Sequence, residues 1–297
     1  MRKNKGEILI FITAIIWGSG YAVMDIGLEH LTVFQIMAGR FILATFLLSF
    51  IFYKKLKLIS KSVLWKGTVL GAILFISFTI QTVGLIYTTP SKNAFLTAVN
   101  VILVPVIAYL IYKRKIDRFE IFAAVLAIVG IGLLSLQGTM NMNIGDLLTL
   151  LSAVGFAFDI FYTNMFVKKE DALALTIIQL FTATVFSIIA VLVLGEVPTK
   201  VSTEGIYTIL YLGVFCTTIA YVCQNIGMQY ANPTKSALIL STEALFGTAF
   251  SIMILHEVLT SRMVIGAILI LLAIFIAETK PKFSHLKRLE SKMNSSS

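Results

Sequence analysis

Asp159 and Glu243 are carboxylates set inside long apolar stretches, and Arg40 is a guanidinium in another. Gln81, Asn93, Asn100 and Gln224 are amides in similar surroundings, and Trp17 and Tyr21 are aromatics close by on one segment. A polar side chain at bilayer depth is costly, so each asks for a partner or a water-filled cavity. The chemistry open to this set is binding rather than bond making. Glu243 can hold a cationic or amine group, or exchange a proton. Arg40 can meet a ligand or pair with Glu243, Trp17 and Tyr21 can stack on a ligand, and the amides can orient it. The alternative for each is helix glue or ordinary packing inside a bundle.

Catalysis and metal chemistry find little support. Gly18-Ser19-Gly20 has the outline of a serine nucleophile turn, but no base accompanies it, because His30, His256 and His285 fall at membrane edges or in the tail. No His or Cys pair has metal-ligand spacing. Cys216 and Cys223 lie one heptad apart on one segment, too far apart for a disulfide. There is no G-x-x-x-x-G-K-[ST] phosphate loop. No cofactor is expected. The partners expected are a small-molecule substrate and the lipid bilayer, without nucleic acid; a homodimer is compatible with the sequence.

The elements that must position these residues are membrane helices. The chain is 58% hydrophobic and 13% charged, against about 25% charged in a soluble domain. Its apolar blocks run to about 18–23 residues, enough to cross a hydrocarbon core of ~30 Å. Ten helices are predicted, at about 7–25, 34–53, 64–86, 91–112, 119–137, 145–166, 173–194, 205–230, 234–255 and 261–279. The first has a basic start and no small-residue cleavage site, and is read as a retained helix. The net charge of +9 sits in short loops, which points to topology and anionic lipid rather than to nucleic acid. With the N-terminus inside, twenty Lys and Arg fall on the inner side and three, Lys92, Lys200 and Arg262, on the outer. Both termini are therefore expected in the cytoplasm, with Lys61 and Lys115 inside and Met142 and Lys200 outside.

The chain is also duplicated. Gln81-Thr-Val-Gly84-Leu-Ile-Tyr87-Thr-Thr-Pro90-Ser-Lys92-Asn-Ala94 returns without a gap as Gln224-Asn-Ile-Gly227-Met-Gln-Tyr230-Ala-Asn-Pro233-Thr-Lys235-Ser-Ala237. That offset of 143 also carries Asn100 onto Glu243. Earlier in each half the offset is 139, aligning Gly6 with Gly145, Trp17 with Phe156 and Arg40 with Gln179. Five spans per half is an odd number, so the second half enters the membrane inverted. The predicted fold is an all-α integral membrane protein of ten transmembrane helices in two inverted five-helix repeats, at 7–138 and 145–279. A basic cytoplasmic tail, 280–297, follows and reads as disordered. Inverted repeats are the architecture of many secondary transporters, whose site lies at the repeat interface near the midplane.

Particular residues carry a resemblance: Ala14-Ile-Ile-Trp17-Gly18, Tyr87-Thr-Thr-Pro90-Ser-Lys-Asn-Ala94-Phe95, Val104-Pro105 before a basic loop, and Phe246 through His256-Glu257. With these the chain resembles the drug/metabolite transporter superfamily, and within it the ten-helix EamA-type transporters. The resemblance implies a multi-pass cell-membrane protein that exports a small metabolite or amino-acid-like solute by alternating access, driven by a gradient of the substrate or of protons. One departure stands out. The family often has Gly-Glu at the end of each repeat's fourth helix, where this chain has Lys113-Arg114 and then His256-Glu257.

Depth and periodicity refine the site. Glu243 lies ten residues past Pro233, about 15 Å along a helix and hence near the midplane, and Asn100 arrives at the same depth from the other side. Asn93, Thr97 and Asn100 share one helix face, as do Ser77, Gln81, Gly84 and Thr88, and again Ser152, Phe156, Asp159 and Thr163. Close-packing seams would show the same stripes, and Gly67-x-x-x-Gly71 is such a motif. The candidate substrate-binding residues are Trp17, Tyr21, Gln81, Asn93, Asn100, Asp159, Gln224 and Glu243. Candidates for coupling or gating are Glu243, Arg40, Lys92 and Lys235. Arg40 is shallow enough to snorkel. Lys92 and Lys235 sit at helix N-termini, where they give each mouth a positive field or anchor it at the interface. An intramembrane enzyme and a receptor-like bundle remain the other classes.

Overall fold

The computed structural model describes residues 2–113, 117–135, 142–198, 200–231 and 233–279. Lys115, residues 136–138, the side chain of Lys235 and the tail, all part of the sequence reading, lie outside the described residues.

Ten helices follow one another: α1 (Arg2–Leu28), α2 (Val33–Ile51), α3 (Lys61–Leu85), α4 (Pro90–Tyr112), α5 (Arg118–Ser135), α6 (Ile144–Phe166), α7 (Ala172–Val193), α8 (Thr203–Tyr230), α9 (233–255) and α10 (Ser261–Thr279). Nine are long and apolar enough to cross a membrane, and α10 holds a shorter apolar stretch, Ser261–Ala277. Polarity is arranged for lipid: Phe50, Trp65, Val193 and Met253 are exposed on the outside, while Thr13, Thr149, Ser152, Gln179 and Ser187 are fully buried. The tight connections work because caps satisfy the first free N–H groups. Thr32 and Gln35 form a capping box on α2, and Ser60, Thr89, Asn143, Asp171 and Ser202 cap α3, α4, α6, α7 and α8. At the face where α1 begins, Lys55 pairs with Asp171 at 2.6 Å and Lys66 with Glu170. Lys66 and Ser62 hold the Glu170 carboxyl below its usual range. Partial burial pushes Asp171 up, but Lys55 and the Ala174 N–H outweigh it.

The two halves pack under a pseudo-two-fold operator. Gly6 meets Gly227, and their repeat mates Gly145 and Gly84 meet in turn. Each pair stands so close that an added Cβ would lie 2.6–3.0 Å from the other glycine's carbonyl oxygen. Thr45 and Thr184, mates themselves, share a 2.9 Å hydrogen bond between α2 and α7. α4 ends on Lys113 at φ 54° and α9 on its mate His256 at φ 55°.

Three departures from regular helix lie at the centre. The spans predicted as continuous over 91–112 and 234–255 are broken, α4 at Val99 and α9 at Ser241-Thr242. There the backbone tightens to i→i−3 bonds, Val99 N to Leu96 O and Thr242 N to Ile239 O. In α9 the hydroxyls of Ser241 and Thr242 also bond back to Leu238 O and Ile239 O, competing with the helix ladder. The spans resume at Asn100 and at Glu243. α8 widens to a π-helix over Leu212–Ile219, where Thr217 and Thr218 donate to carbonyls five residues back.

Candidate functional site

A cavity of about 80 Å³ lies between the halves and is walled by α1, α2, α3, α4, α6, α8 and α9. Trp17, Tyr21, Gln81, Asn93, Asn100, Asp159, Gln224, Glu243 and Arg40 all line it. Lys92 does not: it is buried 3.7 Å from the Asp146 carboxylate, so it lends no free positive field to a mouth.

The helix break in α9 brings Glu243 against α1. Gly18 permits this, since a Cβ there would lie 2.5 Å from Phe246 Cβ and 3.0 Å from the Glu243 carbonyl oxygen. The result is a hydrogen-bonded chain between halves. Tyr21 OH donates to Glu243 Oε1 at 3.3 Å, Gln81 Nε2 donates to Tyr21 OH at 3.5 Å and to Thr97 Oγ1 at 2.8 Å. Asn93 Nδ2 bonds Thr149 Oγ1 at 2.8 Å and Gln81 O at 3.2 Å, fixing α3 and α4 to α6. Asp159 Oδ1 accepts from Gln179 Nε2 at 2.9 Å. The buried Asn100 Oδ1 and Gln224 Oε1 have no protein partner among the described residues.

Arg40 departs from its expected position. It does not snorkel; it is 2% exposed. Its Nε donates to Thr217 Oγ1 at 2.9 Å and its Cζ sits 4.5 Å from the Phe78 ring centroid. Among the described residues no carboxylate lies within 4.0 Å of it, so it does not pair with Glu243. The π-turn is what aims Thr217 at it, and nothing in residue type or spacing announces that turn.

The aromatic wall obeys the operator. Trp17 meets Tyr221 edge-on at 5.3 Å, and their mates Phe156 and Phe78 meet edge-on at 5.1 Å. Trp17 also donates to the Cys216 carbonyl at 2.9 Å. Gln81 and Gln224, Asn100 and Glu243, Gly20 and Asp159, and Ala98 and Ser241 are further mates that both face the cavity. Phe78 and Tyr221 were missed by periodicity, although the offset of 143 that relates them was available to find them.

The remaining stripe residues pack helices. Ser77 fills the space above Gly155, Gly84 meets Gly145, and Thr88 bonds Asp146. Gly67 and Gly71 seat α3 on Ile178 and Thr182 of α7. Ser19 bonds Ile16 O and Tyr211 OH at 2.7 Å each, within a helix rather than a turn. Among the described residues no three His, Cys, Asp or Glu side chains converge on a metal position.

The cavity is thus lined by a guanidinium from the first half, two carboxyl groups from the second, and aromatic rings from both. Such a lining offers a small molecule hydrogen-bonding groups and aromatic surface together. Comparison with known proteins agrees with a carrier. The model of the EamA-like transporter family matches residues 4–136 and again 143–279. An uncharacterized transporter of Archaeoglobus fulgidus is 33% identical over 281 residues, covering 94% of this chain and 88% of that one. The uncharacterized inner membrane transporter YedA of Escherichia coli is 26% identical, covering 77% and 80%. A protein of known crystal structure superposes with a TM-score of 0.68 at 16% identity, over 93% of this chain and 98% of that one, which shows a shared fold. This chain is a multi-pass membrane transporter and belongs to the EamA-like transporter family.

Proposed function

We propose that the protein is a secondary-active exporter of a small bipolar, amino-acid-like metabolite. One observation carries this reading: under the operator relating the halves, Arg40 replaces Gln179 while Asp159 and Glu243 replace Gly20 and Asn100. The cavity is therefore lined by one guanidinium from the first half and two carboxyl groups from the second. A carboxylate or similar anion fits the guanidinium fork of Arg40. An amine fits Glu243 and Asp159, and an apolar side chain fits the aromatic wall. Two five-helix halves enclosing the site suit alternating access, with one mouth open at a time. Glu243 is the group suited to exchange a proton for substrate. The excess of Lys and Arg in alternate loops supports a cell-membrane orientation with both termini in the cytoplasm.

The test is a thermal-shift screen of the purified protein against zwitterions, simple amines, simple carboxylates, nucleosides and sugar phosphates. A binder at a hundredfold excess over Kd stabilises by about 2.7 kcal/mol. Bipolar molecules should stabilise, and binders should then undergo counterflow in proteoliposomes. Stabilisation by simple amines as strong as by zwitterions would overturn the bipolar reading. For orientation, cysteines at Lys61 should react from the cytoplasm and those at Met142 and Lys200 from outside.

A further inference from the structure

Beside the cavity, within the second half, lies a set of buried oxygens short of donors. Asp159, Thr163, Thr176, Gln179 and Asn225 are each 0–4% exposed. Of these only Asp159 lines the cavity. Asp159 and Thr163 are one turn apart on α6, and Thr176 and Gln179 are one turn apart on α7. The two helices run antiparallel across the short turn at 167–171, and Gln179 Nε2 donates to Asp159 Oδ1 at 2.9 Å, so Thr163 comes level with Thr176. Asn225 of α8 joins that level by donating from Nδ2 to Thr176 Oγ1 at 2.6 Å.

The partners fix which way each amide faces. Thr176 Oγ1 gives its own proton to Ala172 O at 2.7 Å, so it can only accept, and Asn225 must offer it nitrogen. The Asp159 carboxylate likewise calls for the nitrogen of Gln179. Both amide oxygens are left over: Gln179 Oε1 and Asn225 Oδ1 are buried with no partner among the described residues, as is Thr163 Oγ1. Among the described residues no Lys, Arg or His nitrogen lies within 4.0 Å of Asp159. Unmet oxygens and an unpaired carboxylate at bilayer depth call for positive charge. Water can meet an oxygen or two, but it brings Asp159 no charge.

The first half shows what stands at the mated positions. The offsets of 139 and 143 take Asp159 to Gly20, Thr163 to Met24, Thr176 to Met37, Gln179 to Arg40 and Asn225 to Thr82. Where the second half gathers oxygens, the first has a guanidinium and two methionines. We propose that the second half makes up the missing charge by binding a monovalent metal cation of sodium's size among Asp159, Thr163, Gln179 and Asn225. Carboxylate, hydroxyl and amide oxygens are the ligands that hard cations take, and one carboxylate balances one charge. Three of the four residues lie off the cavity lining, which suits a bare ion rather than a metabolite. With the ion on Asp159, Glu243 is left to a substrate amine.

The test needs sodium and no substrate, so its failure leaves the bipolar reading standing. The purified full chain is dialysed against radioactive sodium in choline chloride at constant ionic strength, and bound ion is counted. A single saturable ion per chain is expected, displaced by unlabelled sodium and not by further choline. Asp159→Asn keeps an acceptor for Gln179 but removes the charge, and should weaken binding about tenfold or more. Thr163→Val, close in shape, should weaken it severalfold and carries the test if Asp159→Asn fails to fold. The absence of saturable sodium, or wild-type affinity in the folded variants, would overturn the site. Binding lost in Glu243→Gln but kept in Asp159→Asn would place the ion in the cavity instead and overturn it equally.

Discussion

Replacing Arg40 by Met separates a binding role from a structural one, because the surroundings make the two costs unequal. Arg40 is buried without a carboxylate within 4.0 Å, so its removal leaves no orphaned countercharge. Its one side-chain acceptor, Thr217 Oγ1, keeps its own bond to Leu212 O at 2.8 Å. Met fills a similar stem volume against Phe41 and Phe78, and such swaps cost less than about 1.5 kcal/mol. Relief of the desolvated charge works in the opposite direction, and the net change in stability should be small. Ligand binding should suffer more. A hydrogen bond to a charged group contributes about 1.5–3 kcal/mol, which at 1.4 kcal/mol per decade is a loss of roughly 10–150-fold in affinity. The assay is a melt of the apo protein, then a titration of each variant with the best zwitterion from the ligand screen. Arg40→Lys should recover part of the affinity as a point charge without the fork. An unchanged Kd in Arg40→Met, or a collapse of the apo protein by more than about 3 kcal/mol, would refute this reasoning.

Glu243→Gln keeps size and hydrogen-bonding capacity but has no proton to exchange. It should bind substrate with little pH dependence and fail to accumulate it against a gradient in proteoliposomes; transport at the wild-type rate with an unchanged pH profile would leave Glu243 as helix glue. Gly145→Ala should destabilise by about 1–3 kcal/mol, since its Cβ would lie 2.6 Å from Gly84 O and 2.7 Å from the Tyr87 carbonyl carbon, both backbone atoms; a melt at the wild-type temperature would contradict it. Asp171→Ala removes the cap of α7 and the Lys55 pair, and should cost about 1 kcal/mol. The Asp171 carboxyl is held below its ordinary 3.8. Its contribution is therefore complete above about pH 4 and is lost as pH falls through the lowered value. The difference between variant and wild type should vanish only in acid, as followed by melts from pH 7 down to pH 3.

The number of helices was legible because apolar length and basic loops are set by the bilayer, and the duplication was legible because mated residues keep their register. Depth arithmetic from Pro233 was enough to bring Glu243 to the cavity, and the same counting brought Asn100 there. What residue types did not disclose were the departures from regular helix. The break before Glu243 depends on Ser241 and Thr242 bonding back to the preceding turn, which Ser and Thr do in many unbroken helices. The π-turn of α8 has no compositional mark, so the grip of Thr217 on Arg40 was out of reach, and counting residues from a helix end suggested snorkelling instead. Stripes also misled in part. Periodicity reports which face is buried, and Ser77, Gly84 and Thr88 are buried against α6 rather than around the cavity.

The operator that exchanges the halves has a consequence for which way a carrier rests. Under the alternating access proposed above, the inward-open and outward-open forms are the same arrangement with the halves traded. A residue identical to its mate, such as Gln81 and Gln224 or Lys92 and Lys235, then adds the same free energy to both forms and cannot prefer either. Only mismatched mates can tilt the balance. Among the cavity residues those differences include Arg40 against Gln179, Asp159 against Gly20, Glu243 against Asn100, Trp17 against Phe156, Phe78 against Tyr221, and Ala98 against Ser241. A shift of 1.4 kcal/mol at any of them moves the ratio of the two forms tenfold. The differences that line the cavity therefore also weight its two forms, and matching a pair, as in Trp17→Phe, would remove that pair's share of the bias.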